Sequence, residues 1–158
     1  MTLPPKIKYM IDLTTAVAAV PAAGSATRSI TAADQDDLAR LMLDAYIGTI
    51  DYEGETLDDA TGEVGSFYAD SPLLDCSFIA TADGSTASAV LVSGSEEGPM
   101  VGYVMTAAAH KRRGLAHLVV SRALRELHNS GYTRVTLFIT EGNTASEALF
   151  SGLGAVRL

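Results

Sequence analysis

The sequence has one cysteine, few basic residues and no long apolar run, and each shortage excludes a class of protein. Cys76 alone cannot close an intrachain disulfide, which fits a reducing compartment, and we expect a cytoplasmic protein. No stretch approaches the ~20 apolar residues that a membrane-spanning helix needs. Eleven basic residues stand against nineteen acidic ones, and this net charge of −8 argues against general nucleic-acid binding. Neither a membrane nor a nucleic acid is therefore a predicted partner.

The composition that remains is that of an ordinary folded protein. The chain has 158 residues, of which 47% are apolar and 19% are charged. A chain of this length supports one sizeable core, and its apolar content is too high for a disordered chain.

Hydrophobic periodicity and turn residues divide the chain into alternating elements. The Asp83-Gly84 pair marks a hairpin turn, Thr31 and Asp34 resemble a capping box, and Thr56 repeats that start signal. The predicted strands are residues 7–13, 76–82, 86–92, 100–106 and 134–140. The predicted helices are residues 32–46, one that begins after Thr56, 115–129 and 143–151, and residues 16–26 form a small-residue connector.

The order of these elements predicts the fold class. Residues 100–140 form one βαβ unit, and antiparallel strands precede it. We therefore expect an α/β (α+β) protein with a mixed, mostly antiparallel central sheet flanked by helices.

The segment His110-Lys111-Arg112-Arg113-Gly114-Leu115-Ala116 stands where a strand gives way to a helix. The first backbone N–H groups of a helix lack intrahelical partners and carry partial positive charge, so they bind anions such as a pyrophosphate. Gly114 allows close approach of the backbone, Ala116 is small, and five of the eleven basic residues fall between Lys111 and Arg125. The segment matches neither a Walker loop nor a dinucleotide fingerprint.

This segment resembles the acyl-CoA-binding motif of the GNAT superfamily, which reads Arg or Gln, two residues, Gly, one residue, then Gly or Ala. Lys111 occupies the Arg or Gln position. Residues 143–155 resemble the second signature of the family at a similar spacing, and the resemblance covers residues 27–155. It implies a GNAT acyltransferase domain at 27–158, preceded by an N-terminal strand and connector at 1–26.

The resemblance implies an N-acetyltransferase in which a primary amine attacks the thioester of acetyl-CoA directly in a ternary complex. The amine belongs to a small molecule or a peptide. Acetyl-CoA is the acyl-donor cosubstrate, and no metal is expected because His110, His117 and His128 lack ligand partners at familiar spacings. The residues implied to bind the cofactor are Val104, Met105, Thr106, Lys111, Arg112, Arg113, Gly114, Leu115, Ala116, Asn143 and Phe150.

The acid and base positions depart from the family pattern. Phe150 stands where many members carry a tyrosine acid, and Met100 stands near the position of a glutamate base. The catalytic residues are therefore unknown, with Glu97, Tyr103, Glu141 and Ser146 as weak candidates. The missing tyrosine also fits an alternative, a non-catalytic acyl-CoA-binding module on the same fold.

The two chain ends suggest an extra strand. After Gly154 only four residues remain, whereas family members usually continue into two further strands. This shortened C-terminus leaves an unpaired edge beside residues 135–139. Residues 6–13 have the alternation to fill that edge, either in their own chain or across a homodimer interface, while an edge position beside residues 28–30 is the alternative.

Overall fold

The computed structural model describes residues 4–19 and 26–158. Within them the strands are β1 (Lys6–Asp12), β2 (Thr27–Ser29), β3 (Phe78–Ala82), β4 (Ser85–Ser93), β5 (Met100–Thr106), β6 (Arg134–Thr140) and β7 (Val156–Arg157). The helices are α1 (Leu13–Ala19), α2 (Gln35–Tyr46), α3 (Leu57–Ala69), α4 (Leu115–Asn129) and α5 (Thr144–Gly152). Single 3₁₀ turns occupy Ala32–Asp34, Leu74–Cys76 and Ala108–His110.

The strands form one seven-stranded sheet in the order β2-β3-β4-β5-β6-β1-β7. β5 and β6 are the one parallel pair among the described strands, and the other neighbours are antiparallel. The predicted mixed, mostly antiparallel sheet with flanking helices is confirmed.

Helices cover both faces of the central strands. On β4, Val90 and Val92 pack in one cluster with Leu124 of α4, whereas Leu91 packs in a second cluster with Leu38 of α2. All four residues from Ala89 to Val92 are fully buried, because alternate side chains enter opposite helical layers. The strands of the site are therefore held from both sides.

The two helices of the second layer begin where their capping signals predict. Thr31 N donates to Asp34 Oδ2 at 2.8 Å, and Thr56 N donates to Asp59 Oδ2 at the same distance. Each side chain satisfies an amide at a helix start that would otherwise lack a partner. The N-terminal helices at 32–46 and after Thr56 are confirmed.

β1 lies between β6 and β7 in its own chain. It pairs with β6 over seven residues, from Lys6 opposite Thr140 to Asp12 opposite Arg134. Of the predicted positions, the place beside residues 135–139 in the same chain is confirmed, and the edge position beside residues 28–30 is wrong. Val156 and Arg157 add a two-residue strand on the far side of β1.

Three local predictions need correction. Leu13 opens a helix rather than ending β1, because Asp12 Oδ1 accepts a hydrogen bond from Thr15 N at 3.2 Å and caps α1. Residues 16–19 of the expected connector are thus helical, and its residues 20–25 lie outside the described part of the chain, beside the domain boundary predicted at residue 26. Cys76 belongs to a 3₁₀ turn and not to β3.

No described helix combines the length and the apolar character needed to cross a membrane.

Candidate active site

The site is built around an extra residue in β5. Opposite this strand, Leu91 of β4 pairs with Tyr103 while Val92 pairs with Val101, which leaves Gly102 unmatched. Such a β-bulge bends its strand and increases the local twist. A glycine suits the position because it has no side chain that must be packed where the strand bends.

The bulge separates β5 from β6. The two strands pair only at Met100 with Thr136 and at Val101 with Leu137, immediately before Gly102. Beyond these residues β5 remains paired with β4 alone. A wedge-shaped gap therefore opens between the carboxyl halves of β5 and β6, and we call it the wedge.

The bulge also decides which side chains face which helical layer. Val101 and Val104 pack in the cluster that contains α4, whereas Tyr103 and Met105 pack in the cluster that contains α2 and α3. Val101 and Tyr103, two positions apart, would share a face in a regular strand. The extra residue thus directs Tyr103 toward α2 and α3.

The predicted thioester-binding residues lie along the wedge. Val104 and Thr106 are half-buried and Met105 is buried. Ser88 Oγ holds this end of β5 against β4, because it lies 2.9 Å from both Met105 O and Thr106 Oγ1. Their contact with a cofactor stays a prediction.

The predicted phosphate loop continues from the wedge into α4. Gly114 is the N-cap residue of α4 with φ of 79°, and Arg112 also has a positive φ of 66°. The first turn of α4 contains no acidic residue that would counter the partial positive charge of the helix start. Lys111, Arg112, Arg113 and Gly114 are exposed, with Leu115 and Ala116 half-buried behind them. This arrangement suits a phosphate ligand, and the cofactor role of these six residues stays a prediction.

Two hydrogen bonds join this loop to the end of α2. Lys111 Nζ donates to Ala45 O at 2.8 Å, and Ala108 N donates to Asp44 Oδ2 at 2.8 Å. The carboxyl end of a helix carries partial negative charge, which favours the lysine there. The ammonium of Lys111 is therefore engaged by α2, and the loop guanidinium nearest the helix start belongs to Arg113, which is exposed and lies 3.4 Å from His110 Nδ1.

The connection between α2 and α3 is joined to the end of β6. Asp51 accepts hydrogen bonds from Thr140 Oγ1 at 2.6 Å and from Asn143 Nδ2 at 3.2 Å. Asn143 Oδ1 in turn accepts from Ser146 N at 3.2 Å and caps α5. Residues 44–51 thus contact the segments that follow both β5 and β6, and they border the open end of the wedge.

A tyrosine and a glutamate meet on the α3 side of the wedge. Tyr103 donates a short hydrogen bond from its hydroxyl to Glu63 Oε2 of α3. Burial foremost, and then the hydrogen bond to Glu63, raise the pKa of the Tyr103 hydroxyl. Burial, with the charges of Asp51 and Glu63, also raises the pKa of Tyr46 to about 12.

The four catalytic candidates from the sequence do not converge. Glu97 forms a 2.6 Å ion pair with Lys8 near the start of β5, and that hydrogen bond lowers the pKa of Glu97, which makes it a weaker base. Glu141 is exposed, and Ser146 lies in the first turn of α5. Tyr103 is the candidate that borders the wedge, but a raised pKa makes its hydroxyl a poor proton donor to a thiolate.

Phe150, expected near the cofactor, is 4% exposed and packs in the cluster with α4. A phenyl ring has no proton to donate in any case.

Four residues of the site escaped the sequence analysis: Gly102, Asp44, Asp51 and Glu63. A single glycine inside a strand pattern is a signal for a β-bulge, so the bulge at Gly102 could have been predicted from the sequence. The three carboxylates reach partners far away in the chain, and local patterns carry no signal for such contacts.

The model of the FR47-like protein family matches residues 82–157, which include the wedge, the loop and α4. A GCN5-related N-acetyltransferase from Sphaerobacter thermophilus superposes with a TM-score of 0.72 at 14% identity, over 100% of this chain and 50% of that one. The chain has the GNAT fold.

Two further GNAT-fold neighbours have names that describe their activities. The ribosomal-protein-S18-alanine N-acetyltransferase from Escherichia coli has a TM-score of 0.67 at 17% identity, over 81% of this chain and 75% of that one.

The diaminobutyrate acetyltransferase EctA from Paenibacillus lautus, in complex with L-2,4-diaminobutyric acid and coenzyme A, has a TM-score of 0.60 at 19% identity, over 80% of this chain and 72% of that one. No curated protein matches the chain significantly. At these identities the likeness to solved structures establishes the fold alone. The chain spans half the length of the Sphaerobacter protein, so the GNAT fold described here corresponds to part of that protein.

Proposed function

We propose that this chain is an N-acetyltransferase that moves the acetyl group of acetyl-CoA to a primary amine by direct attack in a ternary complex. The observation that carries the proposal is the wedge at Gly102, which leads directly to the start of α4, where no side chain caps the first amides and no acidic residue lies in the first turn. A thioester with a long arm and a pyrophosphate fits these two features in order.

Different residues would bind different parts of the cofactor. The first-turn amides of α4, with Arg112 and Arg113, would hold the pyrophosphate. Backbone groups of residues 104–106, on the side of β5 that faces the wedge, would align the pantetheine arm and polarise the thioester carbonyl. An N–H aimed at that oxygen favours the charge that develops there when an amine attacks.

The leaving thiolate does not need an acid supplied by the protein. A thiol has a pKa near ~8.5, so a thiolate departs more easily than an alkoxide or an amide nitrogen. Transfer therefore proceeds without the tyrosine that Phe150 replaces. The harder requirement is to remove a proton from the acceptor, which is an ammonium ion at neutral pH.

The choice of an amine as acceptor is supported by two GNAT-fold neighbours. Both the ribosomal-protein-S18-alanine N-acetyltransferase and the diaminobutyrate acetyltransferase are named for amino-group substrates. The acidic layer of α2 and α3 would attract a cationic amine to the same side of the wedge. We propose a cytoplasmic location as well, since Cys76 is buried and unpaired.

The second candidate function is a non-catalytic acyl-CoA-binding module. Burial of Phe150 in the core favours it, because the position of the usual acid offers no chemistry.

Release of free thiol from acetyl-CoA distinguishes the two functions. The purified chain would be incubated with acetyl-CoA and a panel of small amines and peptides, with acetylated product identified by mass. The acetyltransferase predicts thiol release that depends on one class of amine. Acetyl-CoA that raises the melting temperature, without thiol release for any amine, would support the binding module instead.

A further inference from the structure

Glu63 lies on the α3 side of the wedge, and one of its two carboxylate oxygens can still accept a hydrogen bond. Its Oε2 accepts the hydrogen bond from the Tyr103 hydroxyl, and no other described residue donates to it. A carboxylate offers two oxygens as acceptors, so Oε1 can take a second donor. Glu63 is exposed on α3, which leaves that oxygen accessible to a substrate.

Tyr103 fixes this carboxylate relative to the wedge. The tyrosine is half-buried on β5, two positions beyond the last residue that pairs with β6, and the bulge at Gly102 directs it toward α3. Val104, the next residue, begins the stretch assigned to the thioester. Glu63 is therefore held one tyrosine side chain away from the strand where the acetyl group would lie.

The other carboxylates near the wedge are bonded to groups outside β5. Asp51 accepts two hydrogen bonds, from Thr140 and Asn143, and Asp44 accepts one from Ala108 N. Glu97 is paired with Lys8. Glu63 is the carboxylate of this group that is bonded to a side chain of β5, the strand assigned to the thioester.

We propose, on the basis of the acetyltransferase function above, that Glu63 is the general base for the acceptor amine and that Tyr103 positions it. Glu63 Oε1 accepts one proton from the ammonium, and the neutral amine nitrogen then attacks the thioester carbon. The C–S bond breaks, the second proton of the nitrogen passes to the thiolate to give free CoA, and Glu63 releases its proton to solvent. One ammonium and one acetyl-CoA thus give one amide, one thiol and one proton.

The groups that face Glu63 are consistent with this role. They are Tyr103 of β5 and Tyr46 of α2, with Asp51 farther along the connection to α3. Both tyrosines have raised pKa values and remain neutral at working pH, so neither competes with Glu63 for the proton of the amine.

The test compares Glu63→Gln and Tyr103→Phe with two control variants, Asp58→Asn on the same helix and Tyr132→Phe, an exposed tyrosine at the other end of β6. Circular dichroism and the acetyl-CoA affinity measured by calorimetry check that each variant is folded. With the best amine of the panel, Glu63→Gln should lower kcat by about 10²–10³-fold near neutral pH, with the KM for acetyl-CoA unchanged. Both controls should retain wild-type kcat.

The pH profile separates chemistry from structure. The loss in Glu63→Gln should shrink toward pH ~10, where an alkylamine loses its proton without a base. Tyr103→Phe should reduce kcat less than Glu63→Gln does and leave the KM for acetyl-CoA unchanged, because the carboxylate remains but loses the hydroxyl that positions it. The double variant Glu63→Gln/Tyr103→Phe should lose no more kcat than Glu63→Gln alone, whereas a purely structural tyrosine would add its own loss to that of Glu63→Gln.

Two different results would overturn the inference, and only one of them would also overturn the proposed function. Glu63→Gln with wild-type kcat and an unchanged pH profile would remove Glu63 as the base while leaving the acetyltransferase intact. A wild-type chain that binds acetyl-CoA but acetylates no amine would overturn the proposed function and this inference together.

Discussion

At the scale of single residues, Gly102 has the widest effect on the site. One unmatched residue ends the pairing of β5 with β6, opens the wedge and directs Tyr103 toward Glu63. The cations of the loop act differently from one another. Lys111 is bonded to Ala45 O, whereas Arg113 lies 3.4 Å from His110 Nδ1 and is exposed.

Charge reversal at Arg113 tests the phosphate loop. Arg113→Glu should raise the Kd for acetyl-CoA roughly tenfold, about 1.4 kcal/mol, because it places a negative charge beside the pyrophosphate at the start of α4. The effect should weaken at high salt. Calorimetry would measure both. Arg157→Glu, an exposed reversal on β7, is the matched control, and equal affinities for the two variants would remove the loop from the site.

At the scale of elements, the start of α2 depends on one buried carboxylate. Asp34, whose side chain is 8% exposed, accepts hydrogen bonds from Arg28 at 2.9 and 2.8 Å and from Thr31 N at 2.8 Å. The hydrogen bond from Arg28 foremost holds the pKa of Asp34 below its usual value. Because the folded pKa is the lower one, this stabilisation is present above pH ~4 and is lost as the pH falls further.

Asp34→Asn should therefore lower the free energy of unfolding by about 1–2 kcal/mol at pH 7, a figure kept small because the Arg28 side chain is 53% exposed and screened by solvent. Urea unfolding at pH 7 and near pH ~3 would show the difference shrinking at the lower pH. The control Asp37→Asn, which breaks an exposed pair with Arg40, should cost at most ~0.5 kcal/mol. A deficit for Asp34→Asn that is equal at both pH values would contradict this account.

Elements with local signals could be predicted from the sequence, and long-range contacts could not. β5, α4 and β6 have the predicted bounds, because a basic glycine loop and Ser130-Gly131 mark their ends. α1 was missed because its small residues show no helical period. The bond between Glu63 and Tyr103 joins residues 40 positions apart, and that between Asp51 and Asn143 joins residues 92 apart. Such pairs depend on the bulge and the loop paths, which local patterns do not encode.

At the scale of the whole molecule, the N-terminal strand completes the sheet. β1 covers the edge of β6 that would otherwise expose unpaired backbone groups, and it supplies Ile11, which is fully buried with Val135 and Leu137. Charge is also divided across the fold, with ten acidic residues between Asp34 and Glu63 and a cationic loop before α4. This division suits an anionic cosubstrate and a cationic acceptor that approach one wedge from two sides.

Substitution in β1 tests its structural role. Ile11→Ala should lower the free energy of unfolding by about 2–5 kcal/mol, because it leaves a cavity in the core. Met10→Ala, on the opposite and half-buried face, should cost less. Deletion of residues 1–13 should abolish the cooperative unfolding transition or drive association detected by light scattering. A deletion variant with unchanged melting temperature and mass would exclude this role.

The most direct test of the wedge is amide hydrogen exchange with and without acetyl-CoA. The account predicts slower exchange at residues 104–106 and 115–117, where the thioester and pyrophosphate would be held. The groove at the other end of β5, lined by Lys8, Glu97, Met100 and Phe138, should be unaffected. Protection of that groove, with residues 104–106 and 115–117 unchanged, would contradict the assignment of the wedge as the acetyl-CoA site.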